Sequence, residues 1–205
     1  GSEMCIRDRK IATINFSDAE YPKELAVLPK KPLVLFVKGN IKLLTDEKKV
    51  AVVGTRNPSI LAQKMTLKIT EQLSNLGYTV VSGLAIGCDS LAHEMASVTN
   101  GKTIAILAHG LDVPVYPKVN RTLADDILRN GGALVSEYPL GTTLRPSYLV
   151  ERDEWQSGMS LGTITIESSK SGGSRHASYK ALNQDRELAV LDHTLSVSYT
   201  HLRAH

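Results

Sequence analysis

Val80-Val81-Ser82-Gly83-Leu84-Ala85-Ile86-Gly87-Cys88-Asp89-Ser90-Leu91-Ala92-His93 is the stretch around which the chain is organised. A short β-branched run ends at Ser82, small residues then let the backbone turn closely, and Asp89 or Ser90 is placed to cap a following helix. A strand-turn-helix of this kind aims several backbone N–H groups and a positive helix end at one spot, which suits a phosphate. Taken alone, the segment is equally a tight turn with no ligand.

Outward from this turn the alternation is regular. Apolar strands are expected at 33–38, 49–53, 78–81, 103–107, 133–135, 163–166 and 187–191. Helices are expected at 61–76, 91–98, 121–129, 148–159 and 174–182, with a short helix and a Pro-bounded connection across 16–32. Leu61, Met65, Ile69, Leu73 and Leu76 recur at helical spacing before Gly77, and the Val-rich run Lys49 to Val53 suits a strand buried on both faces. Short apolar strands alternating with helices predict an α/β fold, a doubly wound and mostly parallel sheet.

Composition narrows the function classes. At 205 residues and 42% hydrophobic, the chain has enough material for one well-buried core. A net charge of +3 announces no nucleic-acid coat but leaves room for a local basic patch. Two distant cysteines fit a reducing compartment, and no apolar run approaches membrane-spanning length, so a cytoplasmic protein with no membrane partner is expected. Residues 1–9 and 195–205 resemble a tag scar and translated adapter read-through, which leaves 10–194 as a single domain.

In doubly wound sheets, ligands sit beyond the carboxyl ends of the strands. The Gly- and Ser-rich elements Gly54-Thr55-Arg56, Ser82-Gly83, His109-Gly110, Ser136-Glu137 and Ser171-Gly172-Gly173-Ser174 all fall on that edge. The opposite edge holds ordinary helix stops such as Gly77 and Gly131-Gly132. The asymmetry points to a phosphate-binding cleft.

Val53-Gly54-Thr55-Arg56, the stretch from Ser82 to His93, Gly101-Lys102-Thr103-Ile104-Ala105, Gly110-Leu111-Asp112, Tyr116-Pro117, Asn120, Ser136-Glu137-Tyr138-Pro139 and Gly158-Met159-Ser160 together resemble the DprA/Smf family. The resemblance covers nearly all of 16–191. It implies an extended Rossmann-like fold of the DprA/LOG type, related to the LOG and SLOG nucleotide-binding proteins. It also implies single-stranded DNA binding, dimerisation and recombinase loading without bond-breaking chemistry. The sequence departs from the family at three places. Ile86 stands where the family's glycine-rich stretch has an arginine, and Arg152-Asp153-Glu154 replaces an arginine-asparagine-arginine triplet. Gly172-Gly173-Ser174-Arg175-His176 replaces a glycine-serine turn and resembles the compact DprA-like branch.

The candidate ligand- or phosphate-binding residues are Gly54, Thr55, Arg56, Ser82, Gly83, Leu84, Ala85, His109, Gly110, Glu137, Arg152, Trp155, Gly172, Gly173, Ser174 and His176. Arg56 follows a strand-end glycine and suits bidentate phosphate contact. Asp89 reads as a helix cap rather than a catalytic acid, Cys88 as a small buried side chain, and His93 as paired with Asp89 or packed. Trp155 and Tyr148 are each either base-stacking platforms or packing residues. Gly158-Met159-Ser160-Leu161-Gly162 has the hydrolase-elbow spelling but joins helix to strand, the reverse of the order an elbow needs. No metal-ligand spacing, cofactor motif or acid-base pair is evident, and no catalytic residue is assigned.

The expected protein is therefore a non-enzymatic binder of a phosphate-bearing nucleotide, forming a homodimer or higher homo-oligomer. A small nucleotide signal of cyclic or ADP-ribose type is the first reading, drawn from Ile86 and the acids around Arg152. Single-stranded DNA, with Arg56, Arg145 and Arg152 as phosphate contacts, is the alternative. A LOG-like phosphoribohydrolase is the third, and Arg175-His176 stands where its motif would need Thr and Glu.

Overall fold

The computed structural model describes residues 11–168 and 174–191. The strands are β1 (Ile11–Asn15), β2 (Val34–Gly39), β3 (Lys49–Val53), β4 (Thr79–Ser82), β5 (Thr103–Ile106), β6 (Ala133–Ser136), β7 (Gly162–Thr165) and β8 (Glu187–Val190). The α-helices are α1 (Lys23–Ala26), α2 (Ile60–Asn75), α3 (Cys88–Thr99), α4 (Arg121–Arg129), α5 (Pro146–Gly158) and α6 (Ser174–Asn183). They form one eight-stranded sheet in the order β1-β2-β6-β5-β4-β3-β7-β8. From β6 to β8 every pairing is parallel, whereas β1–β2 and β2–β6 are antiparallel. This is the doubly wound α/β sheet that the alternation predicts.

The strand β1 lies outside the expected pattern. Only Ile11 and Ile14 of its five residues are buried, so it carries no two-residue alternation to betray it. Its register against β2 (Ile11 opposite Lys38, Asn15 opposite Val34) makes it a strand. The short helix expected within 16–32 is the single turn α1, bounded by Pro22 and followed by the connection that carries Pro29 and Pro32.

Period-two alternation divides the core between the two faces of the sheet. Val81, Ile104, Ile106, Ala133 and Val135 point to a layer with Leu25, Leu28, Trp155 and Met159 of the α1 and α5 region. Val80 and Val52 point the other way, onto Ala62 of α2 and Cys88, Ala92 and Ala96 of α3, while Ala105, Leu107 and Leu134 meet Leu123, Ala124 and Ile127 of α4. Small residues along α3 let it lie close to the sheet. A Cβ on Gly54 would overlap Cys88, so that glycine serves close packing of β3 against the start of α3.

The order of the strands reverses between β3 and β7, where a ligand crevice is expected. Glu167 sits there: its carbonyl accepts from the Thr55 N–H at 2.8 Å and its carboxylate from the Ser59 N–H at 2.8 Å. The open cleft lies one step over, above β4 and β5.

Candidate functional site

The turn after β4 closes upon itself. Asp89, one residue inside α3, folds back and accepts the Gly83 N–H at 3.1 Å, and the Ala85 backbone also donates to it. The Cys88 N–H goes to the Thr55 carbonyl, Ser90 N–H to Ala85 and Leu91 N–H to Gly87. Two donors of the turn, the Gly83 and Ala85 N–H groups, are thus satisfied by Asp89 within the protein. Gly87 (φ +88°) makes the turn possible, since a Cβ there would strike the Thr55 and Arg56 backbone. Leu84 adopts φ +58°, held there by its fully buried side chain and by Asn120 Nδ2, which donates to its carbonyl at 2.9 Å. Ser82 donates its hydroxyl to the Val52 carbonyl at 2.7 Å and ties β4 to β3.

Arg152, from α5, lies directly on Gly83, and a Cβ at Gly83 would overlap its guanidinium. The glycine therefore makes room for this side chain rather than for a ligand. Arg152 is 4% exposed; Nη1 donates to the Ile106 carbonyl at 3.0 Å, and Nε lies 3.4 Å from Asp153 Oδ1 with no hydrogen bond of its own. Burial raises the Asp89 carboxyl pKa, while Arg152 and the turn's N–H groups oppose the rise. Burial drives His93 down to about 3, with Arg152 adding to the fall. Its Nδ1 lies 2.7 Å from Thr103 Oγ1, so His93 is a packed neutral imidazole rather than a partner of Asp89. Cys88 is buried and its thiol is pushed up to about 11, chiefly by desolvation.

Above this layer opens a small cleft of about 60 Å³, lined by Arg56, Gly83, Ala85, Ile86, Tyr116, Pro117, Leu149 and Arg152. Arg56 is exposed on the β3–α2 loop, and Arg152 forms the floor. Ile86, 43% exposed, and Tyr116, 44% exposed, supply an apolar rim. Of the expected residues, Arg56, Gly83, Ala85 and Arg152 meet here. Tyr116, Pro117, Ile86 and Leu149 are additions that the site reading missed, although Tyr116-Pro117 was visible as a motif.

The remaining candidates take structural places. His109 is 2% exposed, its Nδ1 2.9 Å from the Gly110 carbonyl and its Nε2 accepting the Tyr116 N–H at 3.2 Å, so it fixes the loop that carries Tyr116. Gly110 packs against the Pro139 carbonyl, and Thr55 Oγ1 accepts from Asn57 N–H. Trp155 is a core residue, 8% exposed, with its indole N–H donating to Glu137 at 2.5 Å; it offers no face to a base. That bond engages Glu137, whose carboxyl pKa is raised by burial and by the nearby Glu151. Tyr148 stacks on Tyr138 at 4.2 Å, with Arg145 5.7 Å from its ring. Ser160 is buried and donates to the Gln156 carbonyl, as expected of a packing residue. Gly172 and Gly173 lie outside the described residues; Ser174 opens α6, and His176 lies in its first turn.

Residues 12–201 match the family model described as DNA recombination-mediator protein A. The chain is 34% identical over 193 residues to the DNA processing protein DprA of Bacillus subtilis (strain 168), covering 94% of this chain and 64% of that protein. It therefore spans less than two thirds of that relative's length. Among solved structures it resembles DNA processing protein A from Streptococcus pneumoniae (TM-score 0.84, 33% identity, 94% of this chain and 68% of that one). It likewise resembles the Helicobacter pylori protein, described for its single-stranded DNA binding mode (TM-score 0.82, 28% identity, 93% and 84% covered). With a family match across nearly its whole length, the chain belongs to the DNA recombination-mediator protein A family.

Proposed function

We propose that this protein binds single-stranded DNA in the cleft above β4 and β5, as described for the Helicobacter pylori protein, and acts in recombination, as its family's description implies. The observation that carries the reading is the closure of the 83–87 turn. Its Gly83 and Ala85 N–H groups are engaged by the Asp89 carboxylate, so these two donors are not offered to the phosphate of a small nucleotide. What the cleft offers instead is the exposed Arg56, the Arg152 floor, and an open rim with Tyr116 and Ile86. Cationic side chains beside an exposed aromatic suit a strand laid across a surface, where phosphates meet charge and bases meet a ring. This favours DNA over the cyclic or ADP-ribose-type signal.

Binding of a labelled oligothymidylate across a salt series, with unlabelled mononucleotides and cyclic nucleotides as competitors, tests the reading. Single-strand binding loses affinity with salt in proportion to the phosphates neutralised, at a log–log slope of about −0.7 per phosphate. Arg56→Ala is expected to weaken binding and flatten that slope by roughly one phosphate's share. Absence of oligonucleotide binding, with a thermal shift from one small nucleotide, would reinstate the signal-binding reading.

A further inference from the structure

Asp153 follows Arg152 on α5 and pairs with it. Its Oδ1 lies 3.4 Å from the buried Arg152 Nε, which makes no hydrogen bond, and accepts from Gln156 Nε2 at 2.9 Å. Arg56, from the β3–α2 loop on the cleft's rim, also acts on the Asp153 carboxyl, so both arginines of the proposed DNA site share this counter-charge, while Asp89 acts on Arg152 as well. The adjacent Glu154 is differently placed: it pairs with Lys180 of α6 at 2.6 Å. Of the two acids that replace an asparagine and an arginine of the resembled triplet, only Asp153 is held against Arg152.

Resting on the DNA-binding reading, we infer that Asp153 is a specificity-determining residue of the cleft. Its carboxylate neutralises part of the field of Arg56 and Arg152, and so sets how strongly a polyanion binds and makes that binding depend on pH.

The groups facing Asp153 from each neighbouring element are Arg152 and Gln156 of its own helix, Asp89 of α3 and Arg56 of the β3–α2 loop. Burial lifts its carboxyl to about 6, with Asp89 adding to the rise and the two arginines opposing it. Acidification through that range removes the counter-charge and leaves the arginines free to act on phosphate. The two histidines near the cleft do not mimic the effect, because burial lowers both His93 and His109. Asp89 is tied to the turn's N–H groups and is 5% exposed.

The test is fluorescence anisotropy of a labelled oligothymidylate with wild type, Asp153→Asn and Glu154→Gln, at about pH 5 and about pH 7.5, either side of the range where a raised carboxyl titrates. A unit charge removed about 12 Å from a bound phosphate, at the effective dielectric of about 20 typical near a protein surface, changes affinity by about tenfold. Asp153→Asn is therefore expected to bind about tenfold more tightly than wild type at neutral pH and to show little further gain on acidification. Glu154→Gln should follow wild type. Urea unfolding of the same variants should find Asp153→Asn more stable than wild type at neutral pH, with the difference shrinking as the pH falls below about 6 and closing only below the ordinary carboxyl range. Wild-type binding that Asp153→Asn leaves unchanged at both pH values overturns the inference and leaves the DNA reading standing. Failure of every variant to bind the oligonucleotide overturns both.

Discussion

Replacing Gly83 by Ala tests the architecture beneath the cleft. The backbone there is not in the left-handed region, so a methyl group is tolerated by the main chain; what it meets is the Arg152 guanidinium. The arginine must move. It then loses its bond to the Ile106 carbonyl, a charge-assisted contact in a buried setting that contributes about 1.5–3 kcal/mol. It also withdraws from Asp89, whose charged form it favours. Together these put the cost of Gly83→Ala at about 3 kcal/mol, the lower end of what breaking a buried charge pair costs. At about 2–4 °C per kcal/mol for a domain of this size, the melting temperature should fall by roughly 10 °C. The specific claim is that the loss is routed through Arg152. Urea unfolding of Gly83→Ala, Arg152→Met and the double variant forms a cycle that isolates it. Once Arg152 is gone the new methyl has space, so Gly83→Ala should add less than about 0.5 kcal/mol in the Arg152→Met background. An equal cost in both backgrounds would refute the reasoning and return Gly83 to the role of ligand clearance.

Tyr116→Ala should weaken oligothymidylate binding by about 1–3 kcal/mol while leaving the urea midpoint unchanged, whereas Trp155→Phe should shift the midpoint and not the affinity; the reverse pattern would restore Trp155 as the stacking residue. Lys49 is 1% exposed and its Nζ lies 3.1 Å from Glu24 Oε2, so Lys49→Ala should cost about 3 kcal/mol in urea unfolding by leaving a half-buried carboxylate without its cation. Glu24→Gln with Lys49→Met in one chain should recover most of that loss. His93 has a folded pKa far below its unfolded value, so its stabilising contribution is present above about pH 6.5 and is lost as the pH falls toward the folded pKa. Wild type should lose up to about 1.4 kcal/mol per pH unit across that acid range that His93→Asn does not lose, as read from unfolding midpoints; parallel profiles would contradict a neutral, buried His93.

The sheet was legible because its signals are local. Val-rich runs, helical spacing of apolar residues and Gly stops placed seven of the eight strands, and the escape of β1 follows from its buried residues lacking a period of two. The cleft was half legible. Strand-end glycines and Arg56 marked the correct edge, and the Tyr116-Pro117 motif sat in view, but its place on the rim depends on His109 holding the loop. Trp155 remained ambiguous because large aromatics serve cores and bases alike.

By itself the sequence determined the alternation of strands and helices from β2 onward, the edge at which the loops gather and, through motifs spread along its length, the family. Those follow from side-chain period, turn chemistry and spacing along the chain. Only the tertiary structure decided what satisfies the turn after β4. A glycine, a serine and a helix start look the same in sequence whether their donors face a phosphate or an aspartate. The answer lies in Asp89 folding back onto Gly83 and in Arg152 arriving from a distant helix to lie over both. A buried donor takes the acceptor that the fold brings within hydrogen-bond reach, and that proximity is a property of the packed chain.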